Sequence, residues 1–80
     1  MSSLIPEAQL RDQLLKENAE YRRLAAEHQS YDDQLEGLNN KHFLSVEEQL
    51  QERTLKKKKL MLKDQMYSMV QKYRKEVEAR

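Results

Sequence analysis

Apolar residues recur along the first half of the chain at intervals of three, four or seven: Leu10, Leu14, Tyr21, Leu24, Tyr31, Leu35 and Leu38. This spacing puts them on one stripe of an α-helix, where residues three and four apart stack. Written as heptad positions 10, 14, 17, 21, 24, 28, 31, 35 and 38, the stripe is broken only by Glu17 and His28. A helix over about residues 6–38 is predicted. Pro6 suits a first turn, where its missing N–H costs nothing, and Glu7 suits the positive end of the helix dipole. Two endings are open: Gly37 as a left-handed cap, or one more turn to Asn39 and Asn40.

A loop over about 39–44 leads to a second start signal. Ser45 stands three residues before Glu48, the spacing of a capping box in which each side chain satisfies the other's free backbone N–H. Helix 2 then runs over about 45–77, with a stripe of Leu55, Leu62, Met66, Met69, Tyr73 and Val77, Val70 beside it and Lys59 as its charged member.

Two long helices joined by so short a loop fold back antiparallel. With the bend near 41–42, facing residues have numbers adding to about 83. Leu10 then meets Tyr73, Leu14 meets Met69, Tyr21 meets Leu62, Glu17 meets Met66 and His28 meets Leu55. Near the loop this register sets Tyr31 against Glu52 and Leu35 against Glu48. Val46 and Leu50 lie on another side of helix 2, so either the helices roll there or that part meets a second copy. Leu60, Met61 and Tyr67 also fall off the seam. The fold expected is all-α: an antiparallel two-helix hairpin, coiled-coil-like, forming one domain over residues 1–80 and assembling as a dimeric bundle. Val46, Leu50, Leu60, Met61 and Tyr67 are its candidate self-association residues.

Composition sharpens this picture. The chain has 80 residues with one Gly, one Pro and no Cys or Trp. So small a core barely offsets chain entropy, and without cysteines no disulfide helps, which points to a homodimer. A cysteine-bound zinc or iron–sulfur site is excluded. No apolar run is long enough to span a membrane, and the N-terminal residues lack the form of a secretory signal, so a cytoplasmic location is expected. The net charge of +1 hides an asymmetry: residues 1–42 carry 5 basic and 8 acidic side chains, residues 43–80 carry 10 and 6. The two halves attract each other.

Six basic residues and no acid fall between 53 and 63. At about 100° per residue, Lys56, Lys57, Lys58 and Lys59 point four ways around a helix and form no single flat patch. A solvated collar is the preferred reading. A polyanion site at Arg53, Lys56, Lys57, Lys58 and Lys63 is the alternative, although nucleic-acid sites usually add stacking aromatics or a groove-entering motif.

The pattern Tyr21-x-x-Leu24-x-x-x-His28-x-x-Tyr31-Asp32-x-x-Leu35, followed by "LKKKKLMLKDQMYSMV" at 55–70, resembles the YdcH-like family of small bacterial proteins. The likeness covers about residues 20–73, and its most specific part is Leu55-Lys56-Lys57-x-Lys59-Leu60-x-Leu62-Lys63-Asp64. That family usually has Phe where Tyr21 stands and an aliphatic residue where Tyr31 stands. The resemblance implies a short helical hairpin in the bacterial cytoplasm and no particular activity.

Little chemistry is visible. His28 reads as a packing residue with Asp32 as its partner one turn on. Glu17 reads as a register-fixing polar residue in the seam. Asp64 is expected to pair with Lys63 or Lys57. No histidine–glutamate spacing of a metalloprotease and no glycine-rich phosphate loop occurs. No catalytic residue, metal site or cofactor is expected, and the chain reads as a non-enzymatic interaction module.

Overall fold

In a computed structural model, which describes residues 5–79, the chain forms three helices and, among the described residues, no strand. Residues 1–4 and 80 of the expected domain lie outside the described residues. α1 spans Glu7–Glu17, α2 Ala19–Asn39 and α3 Val46–Glu78. The molecule measures 53 × 24 × 16 Å. Its long dimension is that of α3, since 33 residues at 1.5 Å each give about 50 Å.

The predicted first helix is therefore two. Asn18 adopts extended backbone, φ −117° and ψ 111°, and its side-chain oxygen accepts the Tyr21 N–H at 2.9 Å. Asn competes for backbone groups in this way and favours the cap over the helix interior. The Arg22 guanidinium closes the other side of the break, donating to the carbonyls of Leu15 and Lys16 at 2.9 Å each. Those are among the last, otherwise unpaired carbonyls of α1. Pro6 is the N-cap of α1, with its carbonyl accepting from Gln9 and Leu10. α2 passes through Gly37, which has no positive φ, and ends at Asn39. The capping box at Ser45 and Glu48 is formed, at 3.1 and 3.0 Å.

The break lets α1 lie across the open end of the α2–α3 hairpin instead of extending it. Leu10, Leu14, Tyr21, Val70 and Tyr73 form one buried cluster there, with Ile5, Met66, Met69 and Val77 against it. The Tyr73 hydroxyl lies 3.0 Å from the Gln13 oxygen and 3.4 Å from both Glu17 carboxylate oxygens, and Arg74 donates to the Ile5 carbonyl at 3.0 Å. A second cluster at the loop end joins Leu35, Leu38 and Leu55, with Tyr31 and Leu44 alongside. Leu24 and Leu62 are buried between the two.

The register of α2 against α3 differs from the expected one by about two turns, while Leu10 and Leu14 share one cluster with their expected partners Tyr73 and Met69. Tyr21 packs with Val70, Asp32 bridges to Lys59, and Leu35 packs with Leu55. These partners have numbers adding to about 91. The cause lies in residues 40–45, which do not close as a tight bend. Leu44 packs on the Leu35–Leu38–Leu55 cluster, Lys41 bridges to Glu48, and Gln49 donates to the Leu44 carbonyl. The first turns of α3 thus overshoot the end of α2 while the loop runs beside them. In this register apolar meets apolar at both ends, so the expected Leu35–Glu48 and Tyr31–Glu52 oppositions do not occur.

Candidate interaction surface

α3 buries Leu55, Leu62, Val70 and Tyr73 on one face. Taking about 100° per residue, Val46, Leu50, Arg53, Lys57, Leu60, Asp64 and Tyr67 lie along the opposite face, at alternating steps of three and four. Val46, Leu50, Leu60 and Tyr67 are each at least 58% exposed, and Met61 beside them is equally so. The five residues expected to mediate self-association are therefore brought onto one outward side of one helix. The strip spans about 30 Å from Val46 to Tyr67. Single exposed apolar residues are ordinary; five on one side of one helix are less so.

The charges on this strip are unspent. Lys59 bridges to Asp32 across the hairpin and Lys56 lies 3.9 Å from Glu52. Arg53, Lys57, Lys58 and Lys63 have no carboxylate within 4.0 Å among the described residues, and neither Lys57 nor Lys63 bridges to Asp64. The basic collar therefore complements α2 through the Lys59–Asp32 pair and leaves the rest of its charge outward. Its four unpaired cations spread over more than half the helix circumference.

Of the two polar residues of the first seam, Glu17 has other surroundings than expected, and His28 lies beside Asp32 as expected. Glu17 sits at the end of α1 beside the Tyr73 hydroxyl rather than against Met66. The His28 Nδ1 is 3.9 Å from Asp32 Oδ2, and its Nε2 is buried without a hydrogen-bond partner. His28 shares an open groove of about 210 Å³ with Glu7, Arg11, Tyr21, Lys63, Met66, Tyr67 and Val70. The buried nitrogen has no exposed area from which to bind a ligand. No group of three or more His, Asp or Glu side chains among the described residues is placed to hold a metal ion. No helix among them is long and apolar enough to cross a membrane.

Ion pairing sets the electrostatics of the hairpin. The hydrogen bond from Lys59 holds the Asp32 carboxyl below its usual range. Lys41, and then the backbone N–H of Ser45, do the same for Glu48. Burial pushes the Tyr21 phenol up, with Arg11 opposing. The Tyr73–Gln13–Glu17 contact was not foreseen in the sequence, because it depends on the break at Asn18. The signal for that break was an Asn three residues before Tyr21, within a stretch that periodicity alone reads as continuous.

Fold and surface together define a small all-helical protein whose long helix presents one face to its own core and the other to solvent. The chain belongs to the family described as "Protein of unknown function (DUF465)", whose model matches residues 22–70, more than half of its length. This agrees with the resemblance to the YdcH-like proteins. No curated protein and no solved structure matches. The matched segment covers most of α2 and of α3, including the whole basic collar, and leaves α1 outside.

Proposed function

We propose that the protein is a non-catalytic helical interaction module that associates with a second copy of itself through the outward strip of α3. The observation that carries this reading is that Val46, Leu50, Leu60 and Tyr67 stand exposed together on the face turned away from the core. With Arg53, Lys57 and Asp64 between them they fill the three-and-four spacing by which helices pack side by side. The thin core of an 80-residue chain adds support, since association buries apolar area that the single chain leaves in water. Sedimentation equilibrium over roughly 1–200 μM, a range spanning weak to moderate affinities, tests it. A rising average mass is expected, and a folded monomer throughout would overturn the reading.

A second reading rests on the unpaired Arg53, Lys57, Lys58 and Lys63: contact with a polyanion. Their spread around the helix and the presence of Asp64 on the same face limit how many phosphates are touched at once. Binding to duplex DNA is then weak, with log K falling against log salt at a slope of roughly −2 to −3, each neutralised phosphate contributing about −0.9. Tight, sequence-selective binding at about 150 mM salt that is lost when Lys56, Lys57 and Lys58 become Gln would promote this reading to first place.

A further inference from the structure

We infer that two copies pair through α3 antiparallel, in the register that sets Leu50 against Tyr67 and Arg53 against Asp64 of the second copy. This rests on the self-association proposed above and specifies its geometry. The outward strip, from Val46 through Leu50, Arg53, Lys57, Leu60, Asp64 and Tyr67, is a heptad seam with charges fixed within it. A parallel, in-register pair would stack Arg53 on Arg53, Lys57 on Lys57 and Asp64 on Asp64, like charge on like at three layers. Reversing one helix removes that conflict.

Among antiparallel alignments, one brings the strip's opposite charges together, with Val46 falling against Gln71 at its end. Leu50 meets Tyr67, Arg53 meets Asp64, and Lys57 meets Leu60 of the second copy, each contact occurring twice by the two-fold axis. The pairs alternate the two seam positions of the heptad across the axis. Sliding by one heptad either way breaks the Arg53–Asp64 pair. One slide sets Asp64 against Leu60 and Lys57 against Tyr67; the other sets Arg53 against Lys57 and Val46 against Asp64. The register chosen has Lys57–Leu60 as its one apolar–charged layer. Arg53 and Asp64 are both exposed, and neither has an ion-pair partner among the described residues of its own chain. Each is thus free to serve the other across the interface. Lys57 lays its aliphatic stem on Leu60 while its ammonium stays in water. On one flank Lys56 approaches Lys63 of the second copy, and Glu52, 3.9 Å from Lys56, offsets that repulsion.

The absence of cysteine permits a clean test. Leu50→Cys and Tyr67→Cys chains are prepared separately, mixed and oxidised, and the products are mapped by mass spectrometry, alongside sedimentation of the unsubstituted chain. A 50–67 crosslink that needs both variants is expected. Efficient 50–50 or 67–67 crosslinks from either variant alone mean a parallel pair and overturn the register, while leaving self-association standing. A monomer in sedimentation together with no crosslink overturns both. Charge exchange supplies a second readout that does not depend on oxidation. Asp64→Lys is expected to weaken association about tenfold, because two ion pairs become two repulsions. Adding Arg53→Asp is expected to restore it. Restoration by Lys57→Asp instead of Arg53→Asp would place Asp64 against Lys57 and overturn the register.

Discussion

Both faces of α3 carry apolar residues, and the two meet different surroundings. On the inner face Leu55, Leu62, Val70 and Tyr73 are buried against α1 and α2. On the outer face Val46, Leu50, Leu60 and Tyr67 stand in solvent with Arg53, Lys57 and Asp64 among them. The charges tell the faces apart. Lys59, at the edge of the inner face, is bridged to Asp32, whereas Arg53, Lys57 and Asp64 bridge to nothing among the described residues of their own chain. A helix that only closed a hairpin would need the first face alone. The second is the face proposed to meet a second copy, and the family match spans the stretch of α3 that carries most of both faces.

The sharpest way to break this comparison is to truncate one residue packed against the inner face and one on the outer face. Leu10, fully buried against the inner cluster around Val70 and Tyr73, is expected to cost about 2–5 kcal/mol on Leu10→Ala, by lost burial and a residual cavity. Leu60→Ala is expected to change the stability of the single chain by less than about 0.5 kcal/mol. Urea unfolding at concentrations where the protein is monomeric measures both. Equal losses at the two sites would show that the outer face also supports the fold of one chain.

A smaller effect is expected at the hinge between α1 and α2. Asn18→Ala removes the acceptor for the Tyr21 N–H and should cost about 1 kcal/mol, the usual size of a lost N-cap. It also raises helix propensity at the break. Amide hydrogen exchange should show faster exchange at Tyr21, while the Leu35–Leu38–Leu55 cluster stays protected. Uniform loss of protection would mean that the open end and the loop end unfold as one unit.

The smallest effect concerns pH. The Asp32 and Glu48 carboxyls are held below their ordinary values of 3.8 and 4.5 by Lys59 and Lys41. Their contribution to stability is fully present above those ordinary values and is lost as the pH falls through the lowered folded values. The melting temperature should therefore fall in the acid range, and less steeply for Asp32→Asn. Both groups face solvent, so screening keeps the change modest. A melting profile with the same acid slope in the variant would remove Lys59–Asp32 from the account.

Much of this architecture was legible in the residues. Periodicity marked the apolar stripes, and Ser45 with Glu48 marked the start of α3, because both signals are local. Two features were not. Asn18 sits inside a stretch whose periodicity runs on past it, and its choice of cap over helix goes with α1 covering Tyr21, Val70 and Tyr73. The register was misplaced by two turns because loop length alone does not say that Leu44 folds onto Leu35 and Leu38. The outer strip was seen in fragments, with Val46 and Leu50 apart from Leu60, Met61 and Tyr67. Only the uninterrupted course of α3 from Val46 to Glu78 shows that they share one side.

The central claim is that the outer face of α3 holds a second copy while the inner face holds the fold. Replacing Leu60 by Asp tests it most directly, with sedimentation equilibrium and circular dichroism run on the same samples. The variant should keep the helicity of the parent chain and remain a monomer at concentrations where the parent associates. A variant that associates as tightly as the parent would contradict the account.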